Sequence, residues 1–177
     1  RIKKIFAGSY HNFAVNDDNI IYTWGLNNYG QCGIESSDSY ILHSTKVEFF
    51  QNFHRVKQIA AGMHHSLALL ENGNLYSFGH ANYGQLGIGE VSTDKVSMPI
   101  HITKLVNCQK IAVGNHHSLA VNEKVHMWGF GETYALEDTS GENKKFLFEI
   151  NCTEIGNKIL SICGGSQCSV ILSQFND

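Results

Sequence analysis

The sequence predicts an all-β fold, a run of about three propeller blades and part of a fourth. Three observations carry this. One short motif returns four times at a spacing of about fifty residues. Each unit reads as about four short strand-like runs separated by glycine turns. No helical periodicity of convincing length interrupts them. A four-stranded unit of this size matches a propeller blade.

The motif opens each unit. Ile5-Phe6-Ala7-Gly8, Ile59-Ala60-Ala61-Gly62, Ile111-Ala112-Val113-Gly114 and Ile162-Cys163-Gly164-Gly165 end in glycines that recur after 54, 52 and 51 residues. Three residues beyond each glycine stand His11, His65, His117 and, breaking the series, Cys168. A second strand-like run follows: Phe13-Ala14-Val15, Leu67-Ala68-Leu69, Leu119-Ala120-Val121 and Val170-Ile171-Leu172. An aromatic-glycine pair comes next, at Trp24-Gly25, Phe78-Gly79 and Trp128-Gly129. The tryptophans, at strand ends, are expected to plug between neighbouring blades. A glycine turn then appears as Asn28 to Gly33 and as Asn82 to Gly87, and in decayed form as Thr133 to Glu137. Its glycines are expected to take positive φ and to allow close backbone approach. Beyond each turn lies one more strand candidate, such as Lys46 to Phe49 or Pro99 to Ile102. The repeats are placed at about 1–54, 55–106, 107–157 and, in part, 158–177 of one propeller segment. The strands missing from the last unit are expected to come from a more N-terminal part of a longer protein, closing the ring.

Composition narrows the function classes. The 177 residues are 42% apolar and 16% charged, too apolar for disorder. The net charge of −3 makes a general nucleic-acid binder a poor expectation. No run of 18 apolar residues occurs, so no membrane-spanning helix is expected. Five cysteines, with no C-x-x-C pair, read as reduced and structural.

Candidate sites weigh against their structural alternatives. Adjacent strand residues point to opposite faces, so the tandem pairs His64-His65 and His116-His117 are not expected to share a metal. A histidine repeated at His11, His65 and His117 reads as repeated structural work, such as bonding a turn carbonyl. The loop Gly84 to Glu90 lacks the Lys-Ser or Lys-Thr of a phosphate cradle and reads as turn glycine. Asn151-Cys152-Thr153 fits a glycosylation sequon by chance. Carboxylates Asp17, Asp18, Glu71, Glu132, Glu137, Asp138 and Glu142 fall near turns and read as solvated tips able to present acidic contacts. No nucleophile elbow or zinc signature is present, and no bond-making catalysis and no cofactor are expected.

Ala61 to Leu69, Tyr76 to Gly79 and Asn82 to Gly87 together resemble the regulator of chromosome condensation repeat, and the resemblance covers essentially the whole chain. It implies a seven-bladed β-propeller whose sequence repeats and structural blades are offset. Met127 to Leu136 and Ile159 to Gln167 are similar to the last units of the family's exchange factor for the nuclear GTPase Ran. That implies a C-terminal propeller segment, a Ran-type small GTPase as partner and nucleotide exchange by binding. It also implies residence in the nucleus, with histone or chromatin contact through parts outside this chain. The resemblance places a partner-contacting histidine at His65, with His11 and His117 as its repeat counterparts. The wedge hairpin and the basic tail of that exchange factor have no match in this sequence. The alternative is a repeat propeller serving only as a scaffold or adaptor.

Overall fold

The computed structural model describes residues 1–51, 55–130, 144–149 and 158–175, the side chains of 144–148 excepted. Strands β1 (Ile2–Ala7), β2 (His11–Asn16), β3 (Ile21–Leu26) and β4 (Tyr40–Lys46) form one sheet in chain order. A second sheet holds β5 (Val56–Ala61), β6 (His65–Leu70), β7 (Leu75–His80) and β8 (Lys95–His101). A third holds β9 (Lys110–Val113), β10 (His117–Val121), β11 (Val125–Gly129) and β12 (Lys144–Glu149). Strands β13 (Lys158–Gly164) and β14 (Ser169–Gln174) form a two-stranded sheet. All pairings are antiparallel. The first strands of successive sheets, β1, β5, β9 and β13, pack on one another. These are therefore the innermost strands of blades set around a common axis, and the chain is a segment of a β-propeller.

Glycine makes that convergence possible. A Cβ built on Gly62 would lie 2.6 Å from the Gly114 carbonyl oxygen of the next blade. The aromatic-glycine pair does a different job. Between Thr23 and Gly25, Ser77 and Gly79, and Met127 and Gly129 the register against the outer strand shifts, and the aromatic sits in that bulge. Gly79 follows at φ +110°, where a Cβ would stand 2.5 Å from the His64 carbonyl oxygen. That carbonyl accepts the His80 N–H at 2.8 Å. Backbone freedom and the absence of a side chain are both needed there.

Each inner blade is buried on both faces, and successive residues of its strands serve opposite interfaces. Ala68 and Leu70 join Phe13, Val15 and Ile21 of the first blade. Leu67 and Leu69 join Ile111, Ala120 and Trp128 of the third. Leu119, Val121 and Met127 join Ile162 of β13. Phe78 and Trp128 fill two of these seams, while Trp24 is half-buried and lines a shallow groove with Ile2, Ala14 and Tyr22.

One strand expectation is corrected. Lys46 is the last residue of β4, and Glu48–Phe50 is a 3-10 turn that drops Phe50 into the core. Burial of Phe50 against Tyr76 decides the local backbone there, not the β-propensity of the run. Pro99 does lie in a strand, the outermost of its blade, where its missing N–H breaks no ladder bond inside the sheet. The decayed turn at Thr133 to Glu137, the sequon at Asn151 and the carboxylates of Glu132, Glu137, Asp138 and Glu142 lie outside the described residues.

Candidate protein-interaction face

The repeated histidine closes a seam between blades. His11 Nε2 lies 2.7 Å from Ser66 Oγ of the next blade, and Ser66 donates its hydroxyl to the Gln31 carbonyl at 2.9 Å. The same three groups recur one blade on. His65 Nε2 meets Ser118 Oγ at 2.9 Å, and Ser118 donates to the Gln85 carbonyl at 2.8 Å. His117 Nε2 meets Ser169 Oγ at 3.0 Å. With the hydroxyl hydrogens of Ser66 and Ser118 committed to carbonyls, their oxygens accept, so Nε2 of His11 and His65 carries the imidazole proton. Nδ1 of each ring is then left buried without a partner.

The three rings are 0% exposed. Burial, reinforced by neighbouring imidazoles, lowers the pKa of His65 to about 3, against a weak opposing pull from the His117 backbone. Burial and then His64 lower that of His11 to about 4. His117 is lowered mainly by burial, against the Cys168 backbone. His11, His65 and His117 are thus sealed between blades as neutral imidazoles, where they do structural work. Cys168 occupies the fourth position with its sulfur against Gly165. Ser118→Ala removes the acceptor of the buried His65 N–H and is expected to cost about 2 kcal/mol, read from the urea midpoint. A loss below about 0.5 kcal/mol, the scatter of surface substitutions, would show that the seam does not depend on this bond.

The residue just before each latch histidine points outward instead. His64 and His116 sit in the turns between first and second strands, at the same end of the blades as the glycine loops. There they meet the loop tyrosines in a continuous belt. Tyr10 stacks on His64 at 5.6 Å, and Tyr29 packs on His64 at 5.3 Å and on His80 at 4.1 Å. His80 meets Tyr83 at 5.2 Å, and Tyr83 meets His116 at 5.1 Å and Phe130 at 5.4 Å. Tyr10 is 52% exposed, and Tyr29, His64, Tyr83, His116 and Phe130 are half-buried.

The loops that carry the belt are held from below. Gln31 Oε1 accepts the Tyr29 N–H, and Gln85 Oε1 accepts the Tyr83 N–H, both at 2.9 Å. Gln85 Nε2 also donates to His80 Nδ1 at 3.1 Å. Burial first, then neighbouring imidazoles, hold His64 and His80 below the usual imidazole range, with Asp94 opposing at His80; burial alone does so at His116. The belt is therefore aromatic, preorganised and uncharged, which are properties of a protein-binding surface. The sequence motifs contain Tyr29, Tyr83 and Phe130, but nothing in their spacing announces a shared surface. Tyr10 stands at the repeat position of His64 and His116, and His80 at that of Phe130, but the residue type changes from unit to unit.

The sequence profile of the regulator of chromosome condensation (RCC1) repeat matches residues 18–69 and 72–121. Each match starts near the third strand of one blade and ends with the second of the next, so sequence unit and blade are offset. The protein RCC1 of Candida albicans is 35% identical over 96% of this chain and 41% of its own length. The guanine nucleotide exchange factor SRM1 of Saccharomyces cerevisiae is 33% identical over 93% of this chain and 38% of its own length. The crystal structure of Prp20p from Saccharomyces cerevisiae, described with its binding to Gsp1p and histones, superposes with a TM-score of 0.87 at 30% identity. It covers 99% of this chain and 44% of Prp20p. The chain thus spans about two fifths of the length of the curated relatives it matches.

Proposed function

Since the chain belongs to the regulator of chromosome condensation (RCC1) repeat family, we propose that it is part of the propeller of a guanine-nucleotide exchange factor. It binds a Ran-type GTPase and promotes GDP release, in the nucleus and on chromatin. The observation that carries this reading is the similarity to an exchange factor over 93% of the chain, through whole blades in order. Prp20p, which binds Gsp1p and histones, supports the same partner class.

Exchange of this kind needs no bond-making group. A factor that binds the nucleotide-free GTPase more tightly than the loaded form lowers nucleotide affinity by the same ratio. That demands a surface rigid enough not to follow the GTPase back to its loaded shape. The belt from Tyr10 to Phe130, seated on glutamine-braced loops and histidine-latched blades, supplies one.

The test is release of a fluorescent guanine nucleotide from Ran, with and without the intact protein. Accelerated release is expected, and Tyr29→Ala with Tyr83→Ala is expected to slow it at least about tenfold, as loss of interface aromatics does. No acceleration by demonstrably folded protein would move the reading to an adaptor propeller.

A further inference from the structure

The lysines and arginines of the described residues avoid the loops at one end of the blades. The turns and loops at the belt end, residues 8–10, 27–39, 62–64, 81–94 and 114–116, contain not one lysine or arginine. Of their carboxylates, Asp94 acts on the belt's His80, while Glu35 and Asp38 line a groove along β4 together with Lys46. At their edge Lys95, the first residue of β8, bonds the Ser36 carbonyl at 3.2 Å. Lys4, Arg55, Lys57 and Lys110 lie at the opposite end, at or near the starts of the innermost strands. Lys4 and Lys57 there donate to backbone carbonyls of the following blade.

A face whose described loops carry no cation, paved with tyrosine and neutral imidazole rings beside Asp94, suits one kind of side chain. A guanidinium is planar, weakly hydrated and always charged, and it stacks on aromatic faces while its edges reach carboxylates. A lysine ammonium would gain less from the flat rings, and an acidic or phosphorylated segment would meet only repulsion. The belt rings Tyr29, His64 and Tyr83 are half-buried and His80 is buried, each against rings of adjoining blades of this chain.

We propose that the belt from Tyr29 to Tyr83 is a docking surface for an arginine-bearing segment of the partner, held by stacking on the rings and by Asp94 beside His80. This names the chemistry of the partner in the exchange reading and rests on that reading for the partner's identity. The belt predicts its own probe preference whatever the partner is.

The experiment uses the intact protein and a fluorescein-labelled peptide with three arginines spaced by serines, followed by fluorescence anisotropy. A glutamate peptide of the same spacing is the comparison. The arginine probe is expected to bind and the glutamate probe not. Tyr29→Leu with Tyr83→Leu, which keeps apolar bulk and removes the ring faces, is expected to weaken the arginine probe at least about fivefold. Tyr29→Phe with Tyr83→Phe keeps the faces and is expected to stay within about twofold. Equal binding of both probes, no binding of the arginine probe, indifference to the leucine pair, or equal losses in both variants each overturn the proposal. Nucleotide release from Ran separates the two readings. Release without arginine preference sinks the belt inference alone, and arginine preference without release sinks the exchange reading alone.

Discussion

Trp128→Ala is expected to destabilise the protein by about 4 kcal/mol, the cost of removing a fully buried indole. Trp128 is 0% exposed and packs among Leu67, Leu69, Leu75, Ile102 and Ile111 of the preceding seam. Its indole N–H donates to the Gln85 carbonyl at 2.9 Å, the acceptor that Ser118 also uses. One carbonyl of the second blade thus holds two side chains of the third. The ring lies against Gly87, which has no side chain to relax into the hole. Trp128→Phe separates the two contributions. Phe78 occupies the same place one blade earlier, against Gly33, with no donor to offer. The phenylalanine variant is therefore expected to lose only about 1 kcal/mol, the net worth of one buried hydrogen bond. Urea denaturation of the three proteins decides it. An alanine loss below about 1.5 kcal/mol would mean that the blades are held mainly by their innermost strands, not by the aromatic plug.

Acidification is the second large effect. The folded pKa values of His11 and His65 are lowered to about 4 and about 3. In the unfolded chain both return to about 6.5. The unfolded state therefore binds more protons throughout the window below 6.5, so stability is fully present above that pH and is lost as pH falls. Each pH unit inside the window removes about 1.4 kcal/mol per histidine, so going from pH 7 to pH 5 removes about 4 kcal/mol for the pair. His117, shifted in the same direction, adds to the slope. The physical cause is the seam itself. A proton added at Nδ1 would sit in a dry interface with no acceptor, because Nε2 already holds the serine. Urea midpoints at pH 7 and pH 5 measure the effect, and His11→Gln with His65→Gln should flatten the slope by the share of those two rings. Equal stability at both pH values would show that water reaches the imidazoles.

Much of the blade architecture is legible in the amino-acid sequence. The spacing of Gly8, Gly62 and Gly114 reports a repeated close approach, because a backbone position that excludes Cβ admits no other residue. The aromatic-glycine pairs report the seams, because a large ring followed by a positive-φ residue suits few places other than a bulge at a packed interface. The structural reading of the histidines is also within reach, since a residue that returns with the repeat serves what the repeat shares. Their sealing between blades is not. It depends on Ser66, Ser118 and Ser169, each more than fifty residues from the histidine it meets.

Composition misleads in one respect. A net charge of −3 describes a chain without a dominant field, yet the lysines and arginines avoid the described loops at one end of the blades. A sum over residues discards position, and only the strand directions say which loops share a face.

The sequence by itself determined the local and periodic facts: all-β blades, their number, the glycines that let the innermost strands converge and the aromatics that fill the seams. These follow from steric exclusion and alternation, which act within a few residues and repeat with the motif. The tertiary structure alone decided that His65 faces inward while His64 faces out. It also decided that one glutamine carbonyl ties two blades and that Tyr10, Tyr29, His80 and Tyr83 form one surface. Those are contacts between residues from different blades, and nothing short of the sheets taking their places around the axis brings them within reach.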